Sequence, residues 1–257
     1  MDLREVVQTK LLPLIQRVAT DSLHDAELLR FDKNDPHQLY AVCIYGSIVE
    51  IAYGCIALLE KKQVTALPIL LRSFLEAYAD FRASVEDSKY YMNLYASFLK
   101  EKLRLVRNAD KNQQNPYLAG LVHSLDINNE KEKLQTEMDR CRKENRGPLE
   151  NRDRFDKGKL EYEFQSMYWL LCLHGHNNLS ALEDRHIEKQ GDDYNVVLFK
   201  EEDPEDLVRY LDTLIATLID STERIHKLLG TTKTLRYQQH RVIFDAIRTT
   251  YAISNDA

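Results

Sequence analysis

The sequence predicts an all-α fold, a single-domain multi-helix bundle over residues 1–257. Three observations carry this expectation. Turn formers are scarce, with 8 Gly and 6 Pro in 257 residues, whereas a sandwich or barrel needs a turn about every ten residues. Apolar residues recur at helical spacing along most of the chain. The one strand-like run, 196–199, is too short to make a sheet. Neither GxGxxG nor GxxxxGK[ST] occurs, which excludes the common dinucleotide and P-loop folds. A composition of 44% hydrophobic and 30% charged residues suits a soluble domain.

The elements follow in chain order. Residues 3–29 read as a helix that Pro13 breaks or kinks. Asp35 and Pro36 form a strong helix start, cap followed by first-turn proline, for a helix to about 62. Thr65 is the expected cap of the next helix, with Pro68 in its first turn and an end near 84. Asp87 then caps 88–108. Residues 109–158 read as a charged helical excursion from the core: a polar linker, an exposed helix at 128–146 with i,i+4 ion pairs, and an irregular stretch around Pro148. The core returns from 159 through Trp169 to about 186. A loop at 190–204 follows. Asp203 and Pro204 open another helix, which ends at Leu229 and Gly230. The last helix spans about 235–253, and 254–257 should fray. Tyr90, Tyr91 and Tyr95 read either as an exposed face that hints at a dimer or as core packing, and a homo-oligomer is expected.

The formal charge of -6 argues against a dedicated non-specific nucleic-acid binder. Local charge is uneven: 183–206 carries 10 acidic and 3 basic residues, 224–248 carries 6 basic and 1 acidic, and 140–159 carries 8 basic and 4 acidic. Two basic patches are thereby available to phosphates. The stretch 41–59 has a single charge, Glu50, at its centre. A carboxylate there costs about 3 kcal/mol in a bilayer, so the stretch reads as a buried core helix and no membrane association is expected. Cys43, Cys55, Cys141 and Cys172 form no CxxC and read as reduced thiols of a cytoplasmic protein. The polar, charged N-terminus shows no signal peptide.

Charges inside apolar helices mark the candidate site. Arg72, Glu76 and Asp80 recur at i, i+4, i+8 and form one stripe on an apolar helix. A buried charge must be paired, so the stripe is either an internal ion pair or the wall of a polar pocket, where Arg72 holds an anion and Glu76 moves a proton. Further on, His174, Gly175, His176, Asn177 and Asn178 follow an apolar helix directly. The two histidines lie about 200° apart on a helix and cannot share a face. Glu50, alone in its apolar helix, is a further candidate for the same pocket, as are Asp80, His174, Asn177 and Asn178 for ligand binding.

Arg72-Ser-Phe-Leu-Glu76, followed later by Tyr168-x-x-Leu-Cys172-x-x-x-His176, resembles an uncharacterised family of bacterial all-helical proteins. Its pattern is Arg-Ser-apolar-apolar-Glu on one core helix and Tyr-x-x-Leu-Ser ending in a His on another. The match covers roughly 36–185, and Cys172 stands where that family usually has Ser. The resemblance implies a helical fold and a shared site at Arg72, Glu76 and His176. That family lies near the HEPN group of helical bundles, many of them ribonucleases of toxin–antitoxin and phage-defence systems. HEPN ribonucleases leave four to six residues between an Arg, which a polar residue follows, and a His. Here Arg17 with His24 and Arg30 with His37 keep the spacing, but Val18 and Phe31 follow the arginines, and Arg236 with His240 is too close.

Metal chemistry is not expected. Glu183-x-x-His186 and Glu223-x-x-His226 match the di-iron ExxH element, but Glu50 and Glu76 both precede them, against the usual alternating order. No HExxH or paired CxxC suggests zinc, and no cofactor is expected. The functional expectation is a cytoplasmic HEPN-like protein acting on RNA or nucleotides in bacterial defence or toxin–antitoxin biology, as a metal-independent ribonuclease. Arg72 would stabilise phosphate charge, His176 would act as general acid/base and Glu76 would orient them. The alternative is a non-catalytic interaction module with a protein partner, in which the polar cluster only fixes helix register.

Overall fold

A computed structural model describes residues 2–118, 120, 126–175, 178–191 and 193–252. The chain divides into two compact units, one built from Met1–Glu86 and Phe155–Ala257, the other from Asp87–Arg154. The described residues are overwhelmingly helical, as expected, with a single two-stranded antiparallel sheet.

In the first unit, α1 (Leu3–Val6) runs through a π turn (Val7–Leu11) into α2 (Leu12–Glu27). Pro13 does not end the helical run, which leaves α geometry at the π turn just before it. The helix α3 (Pro36–Glu60) starts as its sequence dictates: the Asp35 side chain accepts from the His37 N–H at 2.9 Å, and Pro36 follows it. A 3₁₀ turn (Val64–Ala66) leads into α4 (Leu67–Glu86). These two helices pack as a hairpin, closely enough that a Cβ on Gly54 would fall 2.9 Å from Leu70 Cδ2.

The second unit holds α5 (Tyr91–Lys111) and α6 (Ile127–Lys143), packed on each other. Leu99, Leu103 and Val106 of α5 meet Leu134, Met138 and Cys141 of α6 in a small core of their own. The compact excursion therefore begins at Asp87, not near 109. The apolar stripe of α5 suits any core equally well, and its spacing does not name the partner. The ion pairs within α6 run i,i+3, between Glu137 and Arg140 and between Asp139 and Arg142, while Glu130 and Lys131 pair with Lys102 and Asp110 of α5. Tyr90 is 0% exposed, and Tyr91 and Tyr95 are half-buried, so the exposed aromatic on α5 is Phe98.

The chain continues with α7 (Asn151–Lys157), α8 (Glu161–Glu163), a π turn (Phe164–Tyr168), α9 (Trp169–Gly175) and α10 (Leu179–His186). A hairpin of β1 (Ile187–Gln190) and β2 (Asp193–Val196) follows, pairing Ile187 with Val196 and Gln190 with Asp193. The strand-like signal at 196–199 thus marks the end of β2 rather than a strand of its own. Then come α11 (Pro204–Leu228) and α12 (Thr234–Ala252). The Asp203 cap and the Gly230 stop, at φ +66°, both stand where the sequence places them. Helix α11 is the axis of the first unit. Leu211, Leu214, Ile215, Leu218, Ile219 and Ile225 are at most 1% exposed, and the helix packs on α2, α3, α4 and α12.

Among the described residues, α3 is the one helix long and apolar enough to cross a membrane. Ala41, Tyr45, Ile48, Val49, Ala52, Cys55 and Ile56 face the core. Glu50 lies on the outer face and is exposed, as are Cys43 and Ser47, which removes Glu50 from any buried pocket. Apolar residues on both sides of α3 hide this outer face from the sequence.

Candidate functional site

The predicted stripe of α4 meets the chain around α9. An aromatic cluster prepares the meeting. Phe155, Phe164 and Tyr168 lie within 4.7 to 5.3 Å of one another, ring centre to ring centre. The π turn that carries Phe164 and Tyr168 rotates both onto one side; such turns recur at functional sites. Tyr168 is 4% exposed. Its hydroxyl donates to Glu76 Oε1 at 2.8 Å, and the same oxygen accepts from Arg72 Nε at 3.1 Å. The Arg72 guanidinium also lies 5.8 Å from the Tyr168 ring centre, in cation–π range.

One glycine completes the arrangement. A Cβ at Gly175 would fall 2.8 Å from Arg72 Nη1, so the missing side chain is what lets the guanidinium reach the backbone there. Arg72 and Glu76 keep 20% and 26% of their side-chain surface open to solvent. Burial works against the Arg72 charge, but Tyr168, Cys172 and Glu76 outweigh it and raise its pKa. Burial, then the hydrogen bond to Glu76, holds the Tyr168 hydroxyl above its ordinary value. The group is thus a braced cation that keeps part of its surface in solvent. That suits the binding of an anion.

The remaining predicted residues separate. Asp80 is half-buried one turn beyond Glu76. His176 and Asn177 lie outside the described residues. Asn178 is exposed and caps α10, its side chain accepting from the Ser180 N–H at 3.0 Å. This structural duty explains Asn178 without a ligand. His174 lines a cleft of about 470 Å³ together with Arg185, Glu202 and Asp206, a set to which neither Arg72 nor Glu76 belongs. Burial first, then Arg185, depresses the His174 pKa and keeps the ring neutral.

Two polar clusters form that the sequence does not assemble, although its motifs touch His226 and His240. On α4 and α11, Tyr78 donates to Asp220 at 2.8 Å, and Arg82 and Arg224 hold the same carboxylate at 3.5 and 2.6 Å. Between α2, α11 and α12, Tyr237 donates to Asp25 at 2.9 Å, His240 Nε2 meets Asp21 at 2.8 Å, and His226 Nδ1 meets the Thr231 hydroxyl at 2.6 Å. Asp25 and His226 are each 1% exposed. His226 therefore stands in the core. Among the described residues, no three His, Cys, Asp or Glu side chains gather as a metal site.

A family of unknown function, DUF5677, matches residues 38–195. That span includes Arg72, Glu76, Tyr168 and Gly175. No curated protein and no solved structure matches the chain. The matched span is more than half of the chain, and this chain belongs to the DUF5677 family of unknown function.

Proposed function

We propose that this chain is a HEPN-like, cytoplasmic helical protein that acts on RNA or a nucleotide in bacterial defence or toxin–antitoxin biology, as a metal-independent ribonuclease. The observation that carries this reading is the braced Arg72: Glu76 fixes Nε, Tyr168 backs the guanidinium, and Nη1 lies against Gly175, the residue before His176 in the chain. In this reading a ribose 2′-hydroxyl attacks the adjacent phosphorus. The new P–O2′ bond forms as the P–O5′ bond breaks, leaving a cyclic phosphate and a 5′-hydroxyl. His176 moves the proton as general acid/base, and Arg72 stabilises the charge that builds on the non-bridging oxygens. Glu76 is a positioning residue for Arg72.

Purified protein incubated with total bacterial RNA, with and without EDTA, tests this. Cleavage is expected to survive EDTA and to fall by roughly 10² or more in His176→Ala and in Arg72→Ala. Full activity in either variant, shown to be folded by circular dichroism, overturns the assignment.

A second reading has one observation in its favour. Glu76 Oε1 accepts from both Tyr168 and Arg72, as in a network that only fixes helix register. It describes a non-catalytic interaction module: Glu76→Ala would lower the melting temperature, and no RNA would be cut by the wild type.

A further inference from the structure

The hairpin of β1 and β2 carries apolar surface that the Arg72 site does not use. Seven of its eight strand residues are exposed, and Ile187 is the half-buried one. Cross-strand partners share a face of a hairpin. Ile187 with Val196 and Lys189 with Tyr194 therefore make one face, largely apolar. Glu188 with Asn195 and Gln190 with Asp193 make the other, wholly polar. Tyr194, Val196, Leu198 and Phe199 are each at least 64% exposed. Phe199 also holds a φ of +58°, a left-handed conformation that costs free energy in a residue other than glycine. The run from Tyr194 to Phe199 contains no charge, no Gly and no Pro, the composition of a strand that pairs readily.

The two edges of this hairpin differ. The Val197 N–H donates to the His186 carbonyl at 2.8 Å. Bonded and non-bonded pairs alternate along an antiparallel ladder, so Ile187, Lys189, Tyr194 and Val196 turn their N–H and C=O groups outward. The β1 edge is blunted: the Ile187 N–H donates to the Glu183 carbonyl, and the Ile187 carbonyl accepts from Lys200 Nζ at 3.3 Å. On the β2 edge, the N–H and C=O groups of Tyr194 and Val196 meet no partner among the described residues. A two-stranded hairpin is marginal in water, and a third strand with apolar contact stabilises it. Charge decides whose strand that is. Residues 183–206 carry 10 acidic and 3 basic residues. Among the described residues, Glu183, Glu188 and Asp193 stand in no ion pair. A second copy would bring two such acidic stretches together. The basic stretch 224–248 is spent inside its own copy: Arg224, Arg236, Arg241 and Arg248 are held by Asp220, Asp21, Glu223 and Asp212. We propose that the open edge of β2 takes a strand from a different protein, an extended segment in which Lys or Arg alternates with apolar residues. Its backbone bonds to Tyr194 and Val196, its apolar side chains lie beside theirs, and its cations fall on the face of Asp193 and Glu188.

Amide exchange of the full chain tests this with a short peptide that alternates lysine and valine, and with its glutamate–valine counterpart. The lysine peptide is expected to slow exchange at Tyr194 and Val196, whose N–H groups point outward. Asn195, already bonded within the hairpin, should exchange as before. The lysine peptide should bind about tenfold or more tightly than the glutamate peptide at low salt, and the gap should close as salt is added. Val196→Pro removes one outward N–H and no bond of the hairpin, a place where an edge strand tolerates proline. It should weaken binding of the lysine peptide about tenfold, with the melting temperature unchanged. Val196→Lys puts a cation on the apolar face and leaves the backbone intact. It should weaken the same peptide, and it keeps the test valid if proline unfolds the hairpin. No protection by the lysine peptide, equal binding of the two peptides, or wild-type binding by Val196→Lys overturns the proposal. So does a wild-type dimer that Val196→Lys converts to a monomer, because the occupant would then be a second copy. These readouts do not pass through Arg72 or His176, so they hold whether or not the protein cuts RNA.

Discussion

Gly175 sits in ordinary helical backbone, so its missing side chain matters for space rather than for conformation. The space is taken by Arg72 Nη1, the far end of a flexible side chain, 2.8 Å from where a Cβ would stand. Gly175→Ala therefore tests the placement of Arg72. Alanine is favoured over glycine within a helix by about 0.5–1 kcal/mol, but Gly175 is the last residue of α9, and the guanidinium can yield only by loosening its bond to Glu76. The expected result is a melting temperature close to wild type together with RNA cleavage reduced about tenfold or more, because the charge is displaced from the reacting phosphate. Wild-type cleavage by Gly175→Ala would show that the placement of Arg72 is irrelevant. At this scale the sequence was informative where partners are local. Arg72 and Glu76 are one turn apart, and their pairing is legible from spacing alone. Tyr168 appears in the same motif, but its hydroxyl finds Glu76 across 92 residues, and nothing in the spacing announces that bond.

Helix ends were the legible part at the scale of elements, because their physics is local. Asp35 with Pro36, Asp203 with Pro204, and Gly230 each act within a few residues of chain. Which face of a helix is buried was less legible. Glu50 lies on the open side of a helix that is apolar all round. The docking of α12 was not legible at all, because its anchors lie on α2 and α11. Among the described residues of α12, Tyr237, His240 and Phe244 are buried. The rest of its hold comes from Asp21, Asp25, Asp212 and Glu223, reached by Arg236, Tyr237, His240, Arg241, Arg248 and Tyr251. A helix held this way should respond to pH. Burial depresses the His226 pKa below 6.5; Asp25 acts against this and Lys233 with it. The folded state thus holds His226 neutral, and the unfolded chain takes up the proton first as pH falls. The stability this contributes is complete above 6.5 and is lost as pH drops from there toward the depressed folded value. Across that window the wild type should lose more melting temperature than His226→Gln, with amide exchange rising first in 234–252. Equal losses in the two proteins would mean that His226 does not report on folding.

Two cores within one chain make separable stability the natural expectation for the whole molecule. The core of the first unit gathers α2, α3, α4 and α11, whereas α5 and α6 share a much smaller set around Leu99, Leu103, Leu134 and Met138. A small core has few contacts to redistribute when one side chain is cut back, so the cavity it leaves stays open. Leu103 is 6% exposed and lies at the centre of the α5–α6 seam. Leu103→Ala should cost about 2–4 kcal/mol within that unit. Stability is not uniform across a structure, and local opening is read directly by hydrogen exchange. In Leu103→Ala, exchange should accelerate across 91–111 and 127–143, while 12–27, 36–60 and 204–228 keep wild-type protection. RNA cleavage, which draws on residues of the first unit, should be retained. Uniform acceleration along the whole chain would instead mean that the two cores melt as one cooperative body. Substitutions at the α5–α6 seam should then lower activity in step with stability.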